Sequence, residues 1–308
     1  MEAPDYHKEH TKRIQSSKKK WLRRSWISNA IKFSIPPILL GGYSRYESTW
    51  LEITKTVVRL PFLPSQKKIK ILHLSDLHLS QATSINYIKH SFAEGLKEKP
   101  HACMITGDFI TDRPNDEQLD ALKNCLAKIS KKVPTFASLG NHDGGTWAAA
   151  RSGFSSPEKI KNVLKAAKVR ILHNERANTY LNGLPVTVTG LGDMWNTECL
   201  PRKCMARIGS DQRRRPHLNI LLSHNPDTKN LVNEYDWALM LSGHTHGGQF
   251  RIPFSNYAPL APVSDLSHTE GLQDFHGRPH FITRGIGSLY GVRVNCRPEA
   301  SILELSRS

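Results

Sequence analysis

The chain has 308 residues, 38% of them hydrophobic, and carries 43 Lys and Arg against 27 Asp and Glu, for a net charge of +16. That length and apolar content, without a low-complexity stretch, exclude a disordered chain and allow one large core or two modest ones. The five cysteines, Cys103, Cys125, Cys199, Cys204 and Cys296, are scattered without a CxxC pair, so neither a disulfide framework nor a cysteine-built zinc site is indicated, and a reducing compartment is the default.

The basicity is concentrated at the start. Residues 1 to 70 hold 15 Lys and Arg against 5 Asp and Glu, a surplus of 10, whereas the remainder has a surplus of only 6. HKEHTKRIQSSKKKWLRRSW runs into ISNAIKFSIPPILLGGY, and a basic arm followed by an apolar stretch suits an anionic membrane surface. A nucleic-acid arm is the competing reading. From Trp26 to Tyr43 the stretch contains Asn29, Lys32 and Pro36-Pro37, which makes an interfacial anchor a better fit than a membrane span of ~20 apolar residues. Arg23-Arg24-Ser25-Trp26-Ile27 also has the look of a degraded twin-arginine export signal. The segment to residue 64 is read as membrane-association segment and linker, ending near Pro64, and residues 65–308 as the globular domain.

Beyond residue 66, short apolar runs alternate with helix-like segments. KIKILHL, HACMI, TFASL, VRIL, VTVTG, NILL, WALML, HFIT and SILEL read as strands, while SINYIKHSFAEGLKEKP and NDEQLDALKNCLAKISKK have the three-to-four spacing of amphipathic helices. The pattern predicts a layered α/β fold.

Five of these strands run into potential metal ligands: Asp76 and His78, Asp108, Asn141 and His142, His224, and the pair His244 and His246. Loops at the carboxyl ends of strands in α/β proteins converge on one crevice, so residues 170 positions apart can meet. If the segments are extended, residues i and i+2 point to one side, so that Asp76 with His78, and His244 with His246, each present two ligands. Imidazoles and carboxylates suit divalent Mn, Fe, Zn or Co, and a pair of such ions clamps phosphoryl groups. The glycines at 243, 247 and 248 permit close backbone approach. The other histidines, among them His73 and His280, are read as ordinary surface or core residues.

The blocks DLH, GD, GNHD, SHNPD and SGHTHGGQ, in that order, resemble the calcineurin-like metallophosphoesterases over roughly residues 67 to 306. GDMWNTEC and RGIGSLYGVRVNCRPEASILEL narrow the likeness to the YaeI/LpxG-like membrane-associated subfamily, which includes a UDP-2,3-diacylglucosamine diphosphatase of lipid A synthesis. The resemblance implies a central β-sandwich flanked by helices, with a dimetal site at the carboxyl ends of strands. It assigns Asp76, His78 and His246 to one ion and Asn141, His224 and His244 to the other, with Asp108 bridging. Asp108, Asn141 and His142 become the catalytic residues, His142 stabilising the transition state or protonating the leaving oxygen. The ions are two divalent metals, Mn first, with Fe and Zn as alternatives. The second block departs from the family's GDxxD pattern, with Thr111 in place of its last aspartate and Asp112 one residue later.

The implied substrate is an amphiphilic phosphoester, UDP-2,3-diacylglucosamine first, hydrolysed to UMP and 2,3-diacylglucosamine 1-phosphate at the inner membrane by a domain facing the cytoplasm. The alternatives are an exported phosphodiesterase acting on other diesters or phospholipid headgroups, a non-catalytic scaffold, and a nucleic-acid-binding protein, although no nucleic-acid partner is expected. Arg213, Arg214 and Arg215 stand as a candidate phosphate-binding run, and Phe254 and Tyr257 as part of a candidate membrane-dipping loop.

Overall fold

A computed structural model describes residues 37–206, 218–255 and 257–307. The basic arm, Arg23-Arg24 and the greater part of the Trp26–Tyr43 stretch lie outside the described residues, as do Arg213, Arg214 and Arg215. The chain divides into two units, Met1–Tyr43 and Ser44–Ser308, and both sheets lie in the second. Helix α1 (Pro37–Glu47) is short, and among the described residues no helix is long and apolar enough to cross a membrane. Its last residue, Glu47, is buried, and the carboxylate accepts the backbone N–H groups of Asn295 (3.1 Å) and Cys296 (2.5 Å).

In chain order there follow β1 (Glu52–Arg59), β2 (Ile69–Leu74), α2 (Ile85–Lys97), β3 (Ala102–Thr106), α3 (Asp116–Ser130), β4 (Thr135–Ser138), α4 (Thr146–Ala149), α5 (Glu158–Ala166) and β5 (Arg170–Ile171). The second half supplies β6 (Glu175–Leu181), β7 (Leu184–Gly190), β8 (Leu218–Leu222), β9 (Leu239–Ser242), β10 (Gly271–Phe275), β11 (Arg278–Ile282) and β12 (Glu299–Ser306). They form two six-stranded sheets, ordered β1-β12-β2-β3-β4-β5 and β10-β11-β9-β8-β7-β6. Pairing is parallel through β2, β3, β4 and β5 and through β7, β8, β9 and β11, and the chain's last strand enters antiparallel to β2.

The two-residue period of the strands builds the layers. Ile69 and Ile71 of β2, Ala102 and Met104 of β3, and Leu303 and Leu305 of β12 pack against Val188, Ile220, Leu222 and Leu241 of the other sheet. The alternate residues Leu72, Leu74, Cys103, Ile105 and Ile302 pack against Ile88 and Phe92 of α2, Leu122 and Leu126 of α3, and Ile160 and Leu164 of α5. A sandwich flanked by helices results, the layered α/β architecture expected. The helices start where their sequences dictate: Ser84 caps α2 through Tyr87 N–H, and Asn115 and Gln118 form a reciprocal capping box on α3.

The stretch expected to serve as linker up to Pro64 contains β1, which pairs parallel with β12 from Glu52↔Glu299 to Arg59↔Ser306. Its sequence EITKTVVR mixes charges with apolar residues because it is an edge strand, and only Val58 and Arg59's neighbour Leu60 are buried there. The edge strands ERANTYL (β6) and GLQDF (β10) escaped the apolar pattern for the same reason.

Two core histidines tie stability to pH. His73 Nε2 meets Thr106 Oγ1 at 2.9 Å and His280 Nε2 meets Ser242 Oγ at 3.0 Å, and burial pushes each imidazole down to about 3. An unfolded imidazole titrates near ~6.5, so between that value and about 3 the unfolded chain takes up protons that the folded chain refuses. Stability therefore falls as pH drops below 6.5 and is indifferent to these groups above it, a loss at pH 5 of about 2 kcal/mol per histidine. Urea unfolding in EDTA at pH 7 and pH 5 should show that loss, and His280→Gln should show a smaller one. An identical loss in the variant would rule out His280 as a cause.

Candidate metal centre

Hydrogen bonding continues past the strand ends and gathers the ligand loops. Asp76 N–H donates to Gly107 O and His78 N–H to Asp108 O, each at 3.0 Å, which holds the loop after β2 to the loop after β3. Gly243 N–H donates to His224 O at 3.0 Å, joining the loops after β8 and β9, and His244 N–H reaches across to Asp76 Oδ2 at 3.1 Å. Residues from both sheets thus meet at the carboxyl ends of five strands.

The ligand pairs are not extended, contrary to the i, i+2 expectation. Asp76, His78, Asp108, His244 and His246 all have positive φ, between 47° and 70°. Left-handed backbone costs non-glycine residues of order 1 kcal/mol or more each, and it turns each side chain sharply back over the strand end instead of alternating along it. Two glycines make the approach possible. A Cβ on Gly243 would lie 1.9 Å from Ser75 Oγ and 2.3 Å from Asp76 Oδ2, and one on Gly140 would lie 2.2 Å from Asp108 Oδ1.

The side chains form three groups, each with ligand atoms within 4.8 Å of one another: Asp76, His78 and His246; Asp108, His224 and His244; and His78, Asp108 and His142, which links the first two. In the first, His78 Nε2 and His246 Nε2 are 3.1 Å apart, and Asp76 Oδ1 is 3.4 Å from His246 Nε2. In the second, His224 Nε2 lies 3.1 Å from both Asp108 Oδ2 and Asn141 Oδ1, and 3.2 Å from His244 Nδ1. Asp108 Oδ2 is also 3.5 Å from His78 Nε2, so one oxygen faces both groups, while its Oδ1 accepts the His142 N–H at 2.9 Å. His142 stands beside them, its ring 4.9 Å from that of His78.

Neutral imidazoles with inward lone pairs are what a metal ligand set requires. Burial pushes His78 and His244 down to about 3, and burial with the neighbouring His78 and Arg293 holds His246 well below its ordinary value. His224 Nδ1–H donates to Thr106 O at 2.6 Å, which leaves Nε2 for a ligand bond. Burial alone would raise Asp108, yet His224 and His142 hold its carboxyl well below the usual range. Burial would likewise lower His224, but the Asp108 charge raises it to about 10. A divalent ion held by Asp108 and His224 would supply the positive charge that Asp108 draws from His224 here. Two carboxylates, four imidazoles and the Asn141 amide oxygen fit two divalent ions with N/O preference.

Several contributors were not singled out from sequence. Asp143 is buried and accepts the N–H groups of Asp108 (2.9 Å), Phe109 (2.7 Å) and Gly140 (2.8 Å), shaping both loops; the GNHD block already contained it. Thr111, where the family pattern has aspartate, orients two histidines: its Oγ1 is 3.1 Å from His78 Nδ1 and its carbonyl accepts His142 Nδ1–H at 2.6 Å. Asp112 is exposed. Arg293 is fully buried and donates to the carbonyls of His246 (3.2 Å), Arg284 (2.8 Å) and Gly287 (2.6 Å), holding the His246 loop. Trp195 packs edge-on against His244 at 4.3 Å. Phe254 and Tyr257, in contrast, are 70% and 49% exposed on the loop after the His246 turn and do not join the ligand groups.

Residues 69–248 match the family described as Calcineurin-like phosphoesterase. The chain is 36% identical over 268 residues to phosphodiesterase YaeI of Escherichia coli, spanning 86% of this chain and 92% of the relative. It is 27% identical to UDP-2,3-diacylglucosamine pyrophosphatase LpxG of Chlamydia muridarum, spanning 87% and 93%. The metallophosphoesterase YkoQ of Bacillus subtilis is 28% identical over 79% of this chain and 86% of its own length.

Gly243→Ala forces Asp76 away from its group and should weaken metal binding by roughly 10- to 100-fold with the far-ultraviolet circular dichroism unchanged. Calorimetric titration of the apo-protein with Mn reads this directly, and wild-type affinity in the variant would show that the close approach is dispensable.

Proposed function

The chain belongs to the calcineurin-like phosphoesterase family and is a metal-dependent phosphoester hydrolase, and on that premise we propose that it cleaves an amphiphilic substrate, UDP-2,3-diacylglucosamine first, at its pyrophosphate. The observation that carries the reaction class is Asp108, whose single Oδ2 faces the histidines of both ligand groups. Bound divalent ions, Mn the first candidate, lower the pKa of water towards neutrality and neutralise charge building on the phosphorus oxygens.

The chain's own residues do the rest. Asp76, His78 and His246 hold one position, Asn141, His224 and His244 the other, and Asp108 keeps the two in register. His142 donates Nδ1–H to Thr111 O, which leaves Nε2 to hold and release the proton that the leaving oxygen needs. No covalent attachment to the protein is required. The products are UMP and 2,3-diacylglucosamine 1-phosphate, placing the chain in lipid A synthesis.

Support for an amphiphilic substrate comes from the relatives named LpxG and from exposed apolar residues beside the centre: Ile252, Phe254, Tyr257 and Leu260, 46% to 70% exposed, follow the His246 turn within 14 residues. With the basic N-terminal arm they suit peripheral or N-terminally anchored binding to an anionic inner-membrane surface, and a nucleotide-sugar substrate requires a cytoplasmic domain. A second reading is hydrolysis of other phosphodiesters after export: the higher identity to YaeI favours the phosphodiester, and the Arg23-Arg24 export-like pair is what suggests export. A non-catalytic scaffold or binding role leaves the ligand set without a purpose.

Purified protein with Mn and detergent should release UMP from UDP-2,3-diacylglucosamine much faster than it cleaves a generic aryl phosphodiester. Asp108→Ala should lose nearly all turnover, on the order of 10³-fold or more, and Asn141→Ala or His142→Ala should lose less, about 10²-fold. Aryl cleavage without UMP would retain the hydrolase and reject the substrate, and near wild-type turnover in metal-saturated Asp108→Ala would reject the bridging role.

A further inference from the structure

An aromatic row runs along one side of the centre. Trp147 packs edge-on against His142 at 4.8 Å, Trp195 lies 5.4 Å from Trp147, and Trp195 packs edge-on against His244 at 4.3 Å. The row thus begins on the residue placed to protonate a leaving oxygen and ends on a ligand of the other group. Trp147 comes from α4 and Trp195 from the loop after β7, and one buried side chain locks them together. Asn196 Oδ1 accepts Trp147 N–H at 2.9 Å, and Asn196 Nδ2 donates to Asn141 O at 3.1 Å. The brace is tight, since a Cβ on Gly145 would come within 2.4 Å of Asn196 Oδ1.

Both tryptophans remain half-buried, unlike Trp237, which is 2% exposed in a core cluster. A rigidly braced pair of indoles left partly open beside metal ligands has the character of a binding wall, because preorganised aromatic surface gains most when a ligand covers it. The guanidinium of Arg151 stacks over Trp147 at 4.0 Å, which adds a positive charge against the row. Flat apolar surface next to a phosphorus site, with a cation against it, fits a planar ring joined to a phosphate.

We propose that Trp147 and Trp195, with Arg151 against Trp147, form a subsite for a planar ring, aryl or nucleobase, carried by the phosphoester undergoing hydrolysis. The subsite rests on the hydrolase reading above and adds that a planar ring near phosphorus contributes affinity, in UDP-2,3-diacylglucosamine the nucleobase. Trp147 and Trp195 are specificity-determining residues in this scheme.

Non-hydrolysable phosphonates test the subsite without turnover. Calorimetry on the Mn-loaded full chain compares phenylphosphonate, cyclohexylphosphonate and methylphosphonate. The wild type should prefer phenyl over methyl by about tenfold, the size of one good aromatic contact, and should prefer phenyl over cyclohexyl. Trp147→Ala and Trp195→Ala should bring the phenyl preference close to unity while methylphosphonate affinity and bound Mn stay unchanged, and Trp147→Phe and Trp195→Phe should restore it. Equal weakening of all three phosphonates with loss of Mn would overturn the proposal, since the tryptophans would then only brace His142 and His244. A phenyl preference that survives both alanine variants, or equal binding of cyclohexyl and phenyl, would overturn it as well. Failure of the wild type to bind any phosphonate would be a different result, overturning the hydrolase reading beneath it.

Discussion

One carboxylate oxygen faces both halves of the centre, and the rest of the molecule is arranged to put it there. Asp108 lies just past β3, buried, with one oxygen against His142 N–H and the other between His78 and His224. A buried carboxylate among four imidazoles needs positive charge close by. His224, whose proton affinity that carboxylate raises, is the near positive partner, and divalent ions would take over that role. Both ligand groups therefore depend on the position of β3 in its sheet and of β8 and β9 in the other.

That dependence explains the strain around the centre. Five ligand residues with positive φ would not persist in a free loop, where each could relax to ordinary angles. They persist because the loops are tied to one another past the strand ends, Asp76 to Gly107, His78 to Asp108 and Gly243 to His224. Asp143 fixes three more backbone N–H groups, and the buried guanidinium of Arg293 donates to the His246 carbonyl and to those of Arg284 and Gly287. The Arg293 guanidinium is satisfied by backbone carbonyls, so it does not draw a carboxylate of the centre away from its group. The apolar sandwich beneath supplies the rigidity against which this loop arrangement is held.

The aromatic row places specificity on different elements from the chemistry. The ligands sit on loops bound to core strands, whereas Trp147 and Trp195 sit on a one-turn helix and on the loop after β7, linked to the centre through Asn196. Such segments can vary in side chain without moving Asp108, so relatives with one catalytic centre can differ in the group they accept.

The local chemistry of this protein was written in its sequence. Apolar runs of four to seven residues define the core strands, and short motifs at their ends name Asp76, His78, Asp108, Asn141, His142, His224, His244 and His246, because strand burial and ligand identity depend on side-chain type alone. Edge strands β1, β6 and β10 were hidden, since a strand exposed along one side needs no apolar pattern. Only the folded chain decided how the ligands aim, because the left-handed turns at Asp76 and His244 arise from hydrogen bonds to loops that lie far away in sequence. The same holds for Thr111 standing in for an aspartate, for Arg293 reaching back to His246, and for Trp147 meeting Trp195. Each is a contact between side chains ordinary in their own segments, and what they do comes from the sheets that bring those segments together.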